Sequence, residues 1–110
     1  MLYPAYIQIG DDQHAHGVEF PDFPGCFSAA DDWREINRRA QEAVECHMNG
    51  ESGRLPEPTP LEKLAADPRY AGGVWMLIDL DLARIDQARH ISRSGFLAQA
   101  AVTAMEIQTR

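Results

Sequence analysis

The sequence predicts a two-layer α+β domain of order βββαβ, followed by a C-terminal helical segment. Three observations carry that reading. Runs in which apolar residues alternate fill positions 1–30, punctuated by Asp, Gly and Pro; from Trp33 the apolar residues recur every three or four positions; and Val74 to Leu80 is apolar on both faces. Strands that bury one face and a helix that buries one stripe satisfy each other by packing as two layers. With 110 residues, one domain can take about two-thirds of its unfolded surface out of water without a metal or disulfide to brace it. The expected division is a first domain at residues 1–80 and a helical segment at residues 81–110.

The elements follow in order. Tyr3, Ala5, Ile7 and Ile9 alternate with Leu2, Pro4, Tyr6 and Gln8 in the first strand, and Pro4 near its start suits a sheet edge. Gly10, Asp11 and Asp12 supply the turn of a hairpin leading to a second strand at 14–20, with His16, Val18 and Phe20 on one face. Pro21, Asp22, Pro24 and Gly25 break the ladder, because the prolines remove donors and fix φ. A third strand covers residues 26–30. Asp31 or Asp32 then caps a helix, with Glu35 placed as in a capping box. Trp33, Ile36, Ala40, Ala43, Val44 and His47 form its apolar stripe, which runs for about 17 residues and ends near Gly50. Residues 50–60, rich in Gly and Pro, read as a surface connection, and Leu61 to Ala66 as one or two helical turns. Val74 to Leu80 is a fourth strand, inside a sheet or at an interface. A short helical stretch near 81–90 precedes a last helix capped by Ser92, with Phe96, Leu97, Ala100, Ala101, Ala104 and Met105 as its stripe.

Composition excludes several classes of function. The longest apolar run, Val74 to Ile78, falls far short of the roughly 18–20 residues that span a bilayer, and no basic segment with an apolar stretch opens the chain. The expectation is a cytoplasmic protein without a membrane span, in which Cys26 and Cys46 are half-buried reduced thiols. Seventeen acids against 10 bases, a net charge of -7, argue against coating nucleic acid by bulk electrostatics. The imbalance is local: residues 1–67 hold 13 acids and 5 bases, residues 68–110 hold 4 and 5. The first part suits a basic partner, and the tail tolerates phosphate. His14 and His16 share a strand face but lack a third ligand at a diagnostic spacing, so no metal is expected. Cys46 and His47 are helix neighbours pointing about 100° apart, poor geometry for a thiolate and its base, and read as packing residues. Asp11–Asp12 and Asp31–Asp32 sit where a turn or a cap favours Asp. No enzymatic chemistry and no cofactor is expected, and a binding module is favoured.

The run from Val18 through Phe20-Pro21-Asp22-Phe23-Pro24-Gly25-Cys26-Phe27 to Asp31 resembles the signature of HicB-type antitoxins. The likeness extends to Tyr3-Pro4-Ala5, the helix from Trp33 to Met48, the stretch Pro56-Glu57-Pro58-Thr59-Pro60 and the strand Val74 to Asp81. It implies a partial ribonuclease H-like fold without that fold's catalytic acids, and a partner: a small basic HicA-type toxin that cleaves mRNA and is neutralised by direct binding. Phe20, Pro21, Pro24, Gly25 and Cys26 are read as a structural motif, with Phe20, Phe23 and Phe27 anchoring the turn to the core. Asp11, Asp12, Glu19, Asp22 and Phe23 are the candidate toxin contacts, the carboxylates steering a cationic RNA-binding face and then blocking it.

The tail from Arg84-Ile85-Asp86 to Ser92-Arg93-Ser94-Gly95-Phe96-Leu97 resembles the helix-turn-helix half of a ribbon-helix-helix domain. That likeness implies a homodimer or tetramer and operator DNA as a possible partner, with Arg84, Arg89, Ser92, Arg93 and Ser94 as candidate DNA contacts and the helix start facing phosphate. The pattern departs in one respect. Leu80-Asp81-Leu82-Ala83 leads straight into Arg84, so the basic ribbon strand is shortened, lost or merged with the fourth strand. Two functions compete: an antitoxin that also autoregulates its operon, or a homo-oligomeric DNA-binding repressor that neutralises no toxin.

Overall fold

The computed structural model of the chain describes residues 1–89. Four strands, β1 (Leu2–Gln8), β2 (His16–Glu19), β3 (Phe27–Ala30) and β4 (Val74–Asp79), form one antiparallel sheet in the order β3-β2-β1-β4. A 3-10 turn (Trp33–Glu35) leads into helix α1 (Ile36–His47), which lies across one sheet face. Helix α2 (Leu61–Ala65) and a helix α3 at residues 82–89 complete the described chain. The α+β class and the expected βββαβ order are both present.

The hairpin between β1 and β2 closes at Asp11 and His14, whose backbones exchange hydrogen bonds of 2.9 and 3.3 Å. Gly10 is indispensable there: a Cβ would lie 2.1 Å from the His14 carbonyl oxygen. The fourth strand returns to the opposite side of β1, so β1 is an interior strand, buried from Tyr3 to Ile7, and β4 is an edge. This one pairing corrects the expectation of Pro4 at an edge and, of the two readings of Val74–Leu80, inside a sheet or at an interface, the first. Pro4 is tolerated for a geometric reason. Met1 exchanges backbone bonds with Leu80, so odd-numbered residues of β1 bond β4 and even-numbered ones face β2. The β1–β2 register spans only Tyr6 to Gln8, so the donor Pro4 lacks would have had no partner.

Tyr3, Ile7, Val18, Phe20, Phe23, Ile36, Ala40, Val44, Ile78, Leu80 and Ile85 form the core between sheet and α1. Asp32 is the N-cap, its carboxylate accepting the Arg34 N–H at 2.9 Å. The Glu35 side chain turns to Arg38 and Arg39, so the reciprocal half of a capping box does not form. Trp33 departs from the expected stripe and is 68% exposed. It precedes α1 in a turn of about three residues per turn, which rotates it off the face that a 3.6-residue period assigns. His47 and Cys46 are also exposed, at the last turn of α1, while Cys26 is buried. Phe27 is 65% exposed on β3 and does not anchor the turn.

The outer face of the sheet carries an aromatic triad. Tyr6, Tyr70 and Trp75 stack with ring centroids 5.0–5.1 Å apart, and the Tyr6 hydroxyl accepts the Gly73 N–H at 2.7 Å. Residues 50–60 form no helix or strand, as expected, yet they are tied down: the Tyr3 hydroxyl donates to the Pro56 carbonyl. Gln41, buried on α1, clamps the end of β4 by accepting the Asp81 N–H at 2.8 Å and donating to the Asp81 carbonyl at 3.2 Å. Helix α3 packs on the first unit through Ile85, so the described start of segment 81–110 shares its core.

Candidate functional site

The loop from Phe20 to Cys26 joins β2 to β3 and is held by its own backbone. Phe23 N–H donates to Phe20 O, Cys26 N–H to Phe23 O, and Phe20 N–H to Cys26 O, at 2.9–3.3 Å. Gly25 takes φ +87°, a left-handed conformation that side chains resist. Phe20 and Phe23 meet edge to face, and Phe23 packs on Tyr3 at 5.1 Å. Phe23 is 2% exposed, so its ring serves the core and has no surface for a partner, a correction to its reading as a toxin contact. Burial pushes the Cys26 thiol up to about 11, with the nearby Cys46 adding to the shift. Pro21 is half-buried and Pro24 exposed.

The acids at this end are committed. Asp22 accepts the Thr59 N–H at 3.0 Å and the Thr59 hydroxyl, fastening the connection between α1 and α2 to the loop. Glu19 is half-buried and accepts from the Tyr70 hydroxyl at 3.5 Å. Each therefore has a structural task that the charge pattern alone does not disclose.

The opposite end of the same strands differs. Asp11, Asp12, Gln13, His14, Ala15 and Asp31 line one shallow hollow, so the hairpin tip and the end of β3 come together. Asp11, Asp12 and Asp31 are exposed. The His14 ring, at 2.8 Å, and then the Gln13 backbone N–H hold the Asp11 carboxyl below its ordinary value, so it stays anionic well into acid. His16 accepts the Gly10 N–H through Nδ1 at 2.8 Å and stands near enough to Asp32 to favour its charged form, behind the stronger effect of Arg34. Ile9, next to Gly10, is 62% exposed, and Trp33 follows Asp32. Exposed carboxylates, with an exposed aliphatic and an exposed aromatic side chain close to them in the chain, suit a cationic protein surface. Trp33, Ile9 and Asp31 were missed as surface residues because strand and helix periods placed the first two inward and a cap explained the third.

Among the candidate DNA contacts, Arg89 is buried and spent. Its guanidinium donates to Gly53 O at 3.0 Å and pairs with Asp86, which corrects its reading as a phosphate contact. Arg84 is exposed and pairs with Glu45 at 3.3 Å. Ser92, Arg93 and Ser94 lie outside the described residues. Strand β4 pairs with β1 in the sheet, so this segment does not lie free to enter a DNA groove as a ribbon. Among the described residues no group of three or more His, Cys, Asp or Glu is placed to hold a metal, and no helix is long and apolar enough to cross a membrane.

Residues 3–91 match the family model of the HicB-like antitoxin of bacterial toxin-antitoxin systems. The chain is 35% identical over 88 residues to an uncharacterized 14.9 kDa protein in the rep-hol intergenic region of Haemophilus phage HP1. That alignment covers 77% of this chain and spans 65% of the phage protein's length. The crystal structure of the Burkholderia pseudomallei antitoxin HicB is similar at 30% identity and a TM-score of 0.65, covering 96% of this chain and 99% of that one. A chain of a HicA3 and HicB3 toxin-antitoxin complex is 30% identical with a TM-score of 0.60, covering 74% of this chain and 99% of its own. Sheet, buried Phe-Pro loop and family match agree, and the chain belongs to the HicB-like antitoxin family.

Proposed function

We propose that this chain neutralises a small, basic HicA-type toxin by covering its RNA-binding face, with the hairpin tip as the contact. The observation that carries this reading is the contrast between the ends of the sheet. Glu19 and Asp22 are occupied within the fold, whereas Asp12 and Asp31 stand exposed beside Asp11, at the end of the sheet that presents Ile9 and Trp33. Exposed carboxylates draw a cationic partner in, and an aromatic anchor holds it. The partial ribonuclease H-like fold and a cytoplasmic setting belong to the same reading. The chain carries no catalytic step; its action is occlusion.

The test is co-expression with the small basic protein encoded beside its gene, scoring growth and co-purification together. Rescue with a stable complex is the expected result. Absence of both toxicity and complex overturns the antitoxin reading.

The second part of the proposal is autoregulation, with the chain as a homodimer or tetramer that meets operator DNA through Ser92, Arg93 and Ser94. What supports it is sequence: hydroxyls and a base at a predicted helix start, in a half of the chain that is not acidic. Arg93→Ala should then weaken a salt-sensitive shift of the chain's own promoter DNA. No shift by the chain or its toxin complex removes that role.

A further inference from the structure

We propose that His16 is a proton-operated latch on the hairpin tip: the neutral ring holds Gly10, and the imidazolium releases Gly10 and is drawn to Asp32. The ladder between β1 and β2 runs in register from Tyr6 to Gln8 and is interrupted before the Asp11–His14 bridge. In that interruption the Gly10 N–H meets no backbone carbonyl among the described residues and donates to Nδ1 of His16 at 2.8 Å. An accepting Nδ1 places the ring's one proton on Nε2. A second proton would occupy Nδ1 and set two donors face to face, so protonation and the Gly10 bond exclude one another. His14, two residues earlier, is the contrast. Its Nδ1 lies 2.8 Å from the Asp11 carboxylate, an acceptor that a protonated Nδ1 satisfies whether the ring is neutral or charged.

The surroundings offer the imidazolium another partner. His16 opens β2 and pairs with Ala30, the last residue of β3, which puts the ring beside the segment that caps α1. Asp32 stands there, near enough for a charged ring to favour its anion. The Arg34 side chain holds that carboxyl below its ordinary value, so it is ionised wherever an imidazole titrates. The remaining charged groups nearby have other places: Glu35 turns to Arg38 and Arg39, Asp11 pairs with His14, and Asp12 and Asp31 are exposed in the tip hollow. Helix α1 turns Ile36 and Ala40 to the sheet. Gly10 transmits the change. It lies so close to the His14 and Ala15 backbone that a Cβ would be 2.1 Å from the His14 carbonyl oxygen, so its release is felt in the turn that carries Asp11 and Asp12. The effect on a partner rests on the reading of the tip as the toxin contact; the latch itself does not.

The test follows the full chain by NMR from about pH 8 to about pH 5, the range in which imidazole ordinarily changes charge. The His16 ring and the Gly10 amide proton should titrate with one midpoint, the amide moving upfield as its bond is lost. Gly10 hydrogen exchange, corrected for the intrinsic effect of pH, should quicken about five-fold over the same range. His16→Asn keeps an acceptor, Oδ1, that does not titrate, and should flatten both responses, whereas His14→Gln should leave both in place. With the toxin bound, dissociation from the full chain should quicken about three- to ten-fold on acidification, and much less from the His16→Asn variant. A Gly10 amide that stays still while the ring titrates overturns the proposal. So does a ring that holds one charge throughout the range, or a Gly10 response that His16→Asn retains. Should the asparagine variant unfold, the shared midpoint in the unaltered chain still decides. A latch that titrates while toxin dissociation ignores pH upholds the proposal and overturns the tip as the toxin contact.

Discussion

The two ends of the β1–β2–β3 sheet are built from the same kinds of residue and put them to opposite use. At the Phe20–Cys26 end, two phenylalanines are buried, and Asp22 holds Thr59, 37 positions along the chain. At the hairpin tip, Asp12 and Asp31 are exposed, and the large apolar side chains of Ile9 and Trp33 face outward. An aspartate or an aromatic is thus structural or available according to whether the fold brings a partner to it. A fold-maintaining end and a partner-facing end can then be changed independently, and substitutions should separate them.

The largest effect is expected at Phe20. Phe20→Ala empties a fully buried site between Phe23 and the sheet and should cost about 3–5 kcal/mol of unfolding free energy in a denaturant titration. Trp33→Ala is its counterpart: stability should move by no more than about 0.5 kcal/mol, because the side chain is mostly in water already. Toxin dissociation should instead quicken by at least about ten-fold, as for other buried aromatic anchors. Equal stability losses at the two positions would erase the contrast between the ends.

Next comes Asp22. Asp22→Ala removes the acceptor for both Thr59 bonds and leaves those donors partly buried, so about 1–3 kcal/mol should be lost while the rate of toxin association stays put. A large drop in that rate, with stability unchanged, would return Asp22 to the interface.

A milder effect is expected from alkali. The folded Cys26 thiol is raised to about 11, against about 8.5 for a free thiol. A group whose acid form is favoured by folding contributes stability that is complete below the unfolded value and disappears as pH climbs through the folded one. Unfolding free energy should therefore fall between about pH 8.5 and 11, and Cys26→Ala should flatten that slope. At neutral pH, exposed Cys46 should react with iodoacetamide well before Cys26.

How much of this was legible in the sequence depended on how local the cause was. The hairpin turn, the Phe-Pro loop and the Asp32 cap depend on residues within a few positions of one another, and turn and cap chemistry foretold them. Strand order did not follow from pattern. Val74–Asp79 alternates like any strand, and only its return to β1, opposite residues 2–7, makes β1 interior and β4 an edge. Trp33 was misplaced because a 3-10 turn breaks the helical period at its first residue. The commitments of Asp22 to Thr59 and of Arg89 to Gly53 are contacts across 37 and 36 positions, invisible to any window. The candidate site is half legible for the same reason: Asp11 and Asp12 stand out as charge at a turn, while their neighbour Asp31 arrives through the fold.

The smallest effect on the fold, and the sharpest test of the tip, is charge reversal at Asp12 and Asp31. Neither carboxylate holds a hydrogen bond among the described residues, whereas Asp11 bonds both Gln13 and His14, so Asp12→Lys with Asp31→Lys spares the turn. Stability should hardly change. Toxin association should slow by about ten-fold or more at low salt, with the difference shrinking as salt screens the approach. Asp11, which the reversal leaves in place, keeps its charge below its ordinary range, because the His14 ring and the Gln13 N–H favour the ionised carboxyl. Its depressed value also fixes the sign for the turn: the stabilisation Asp11 lends is present above about pH 4 and is lost only as pH falls through the folded value. An association rate indifferent to both reversals would move the toxin contact off the tip and leave its exposed acids as solvated charge.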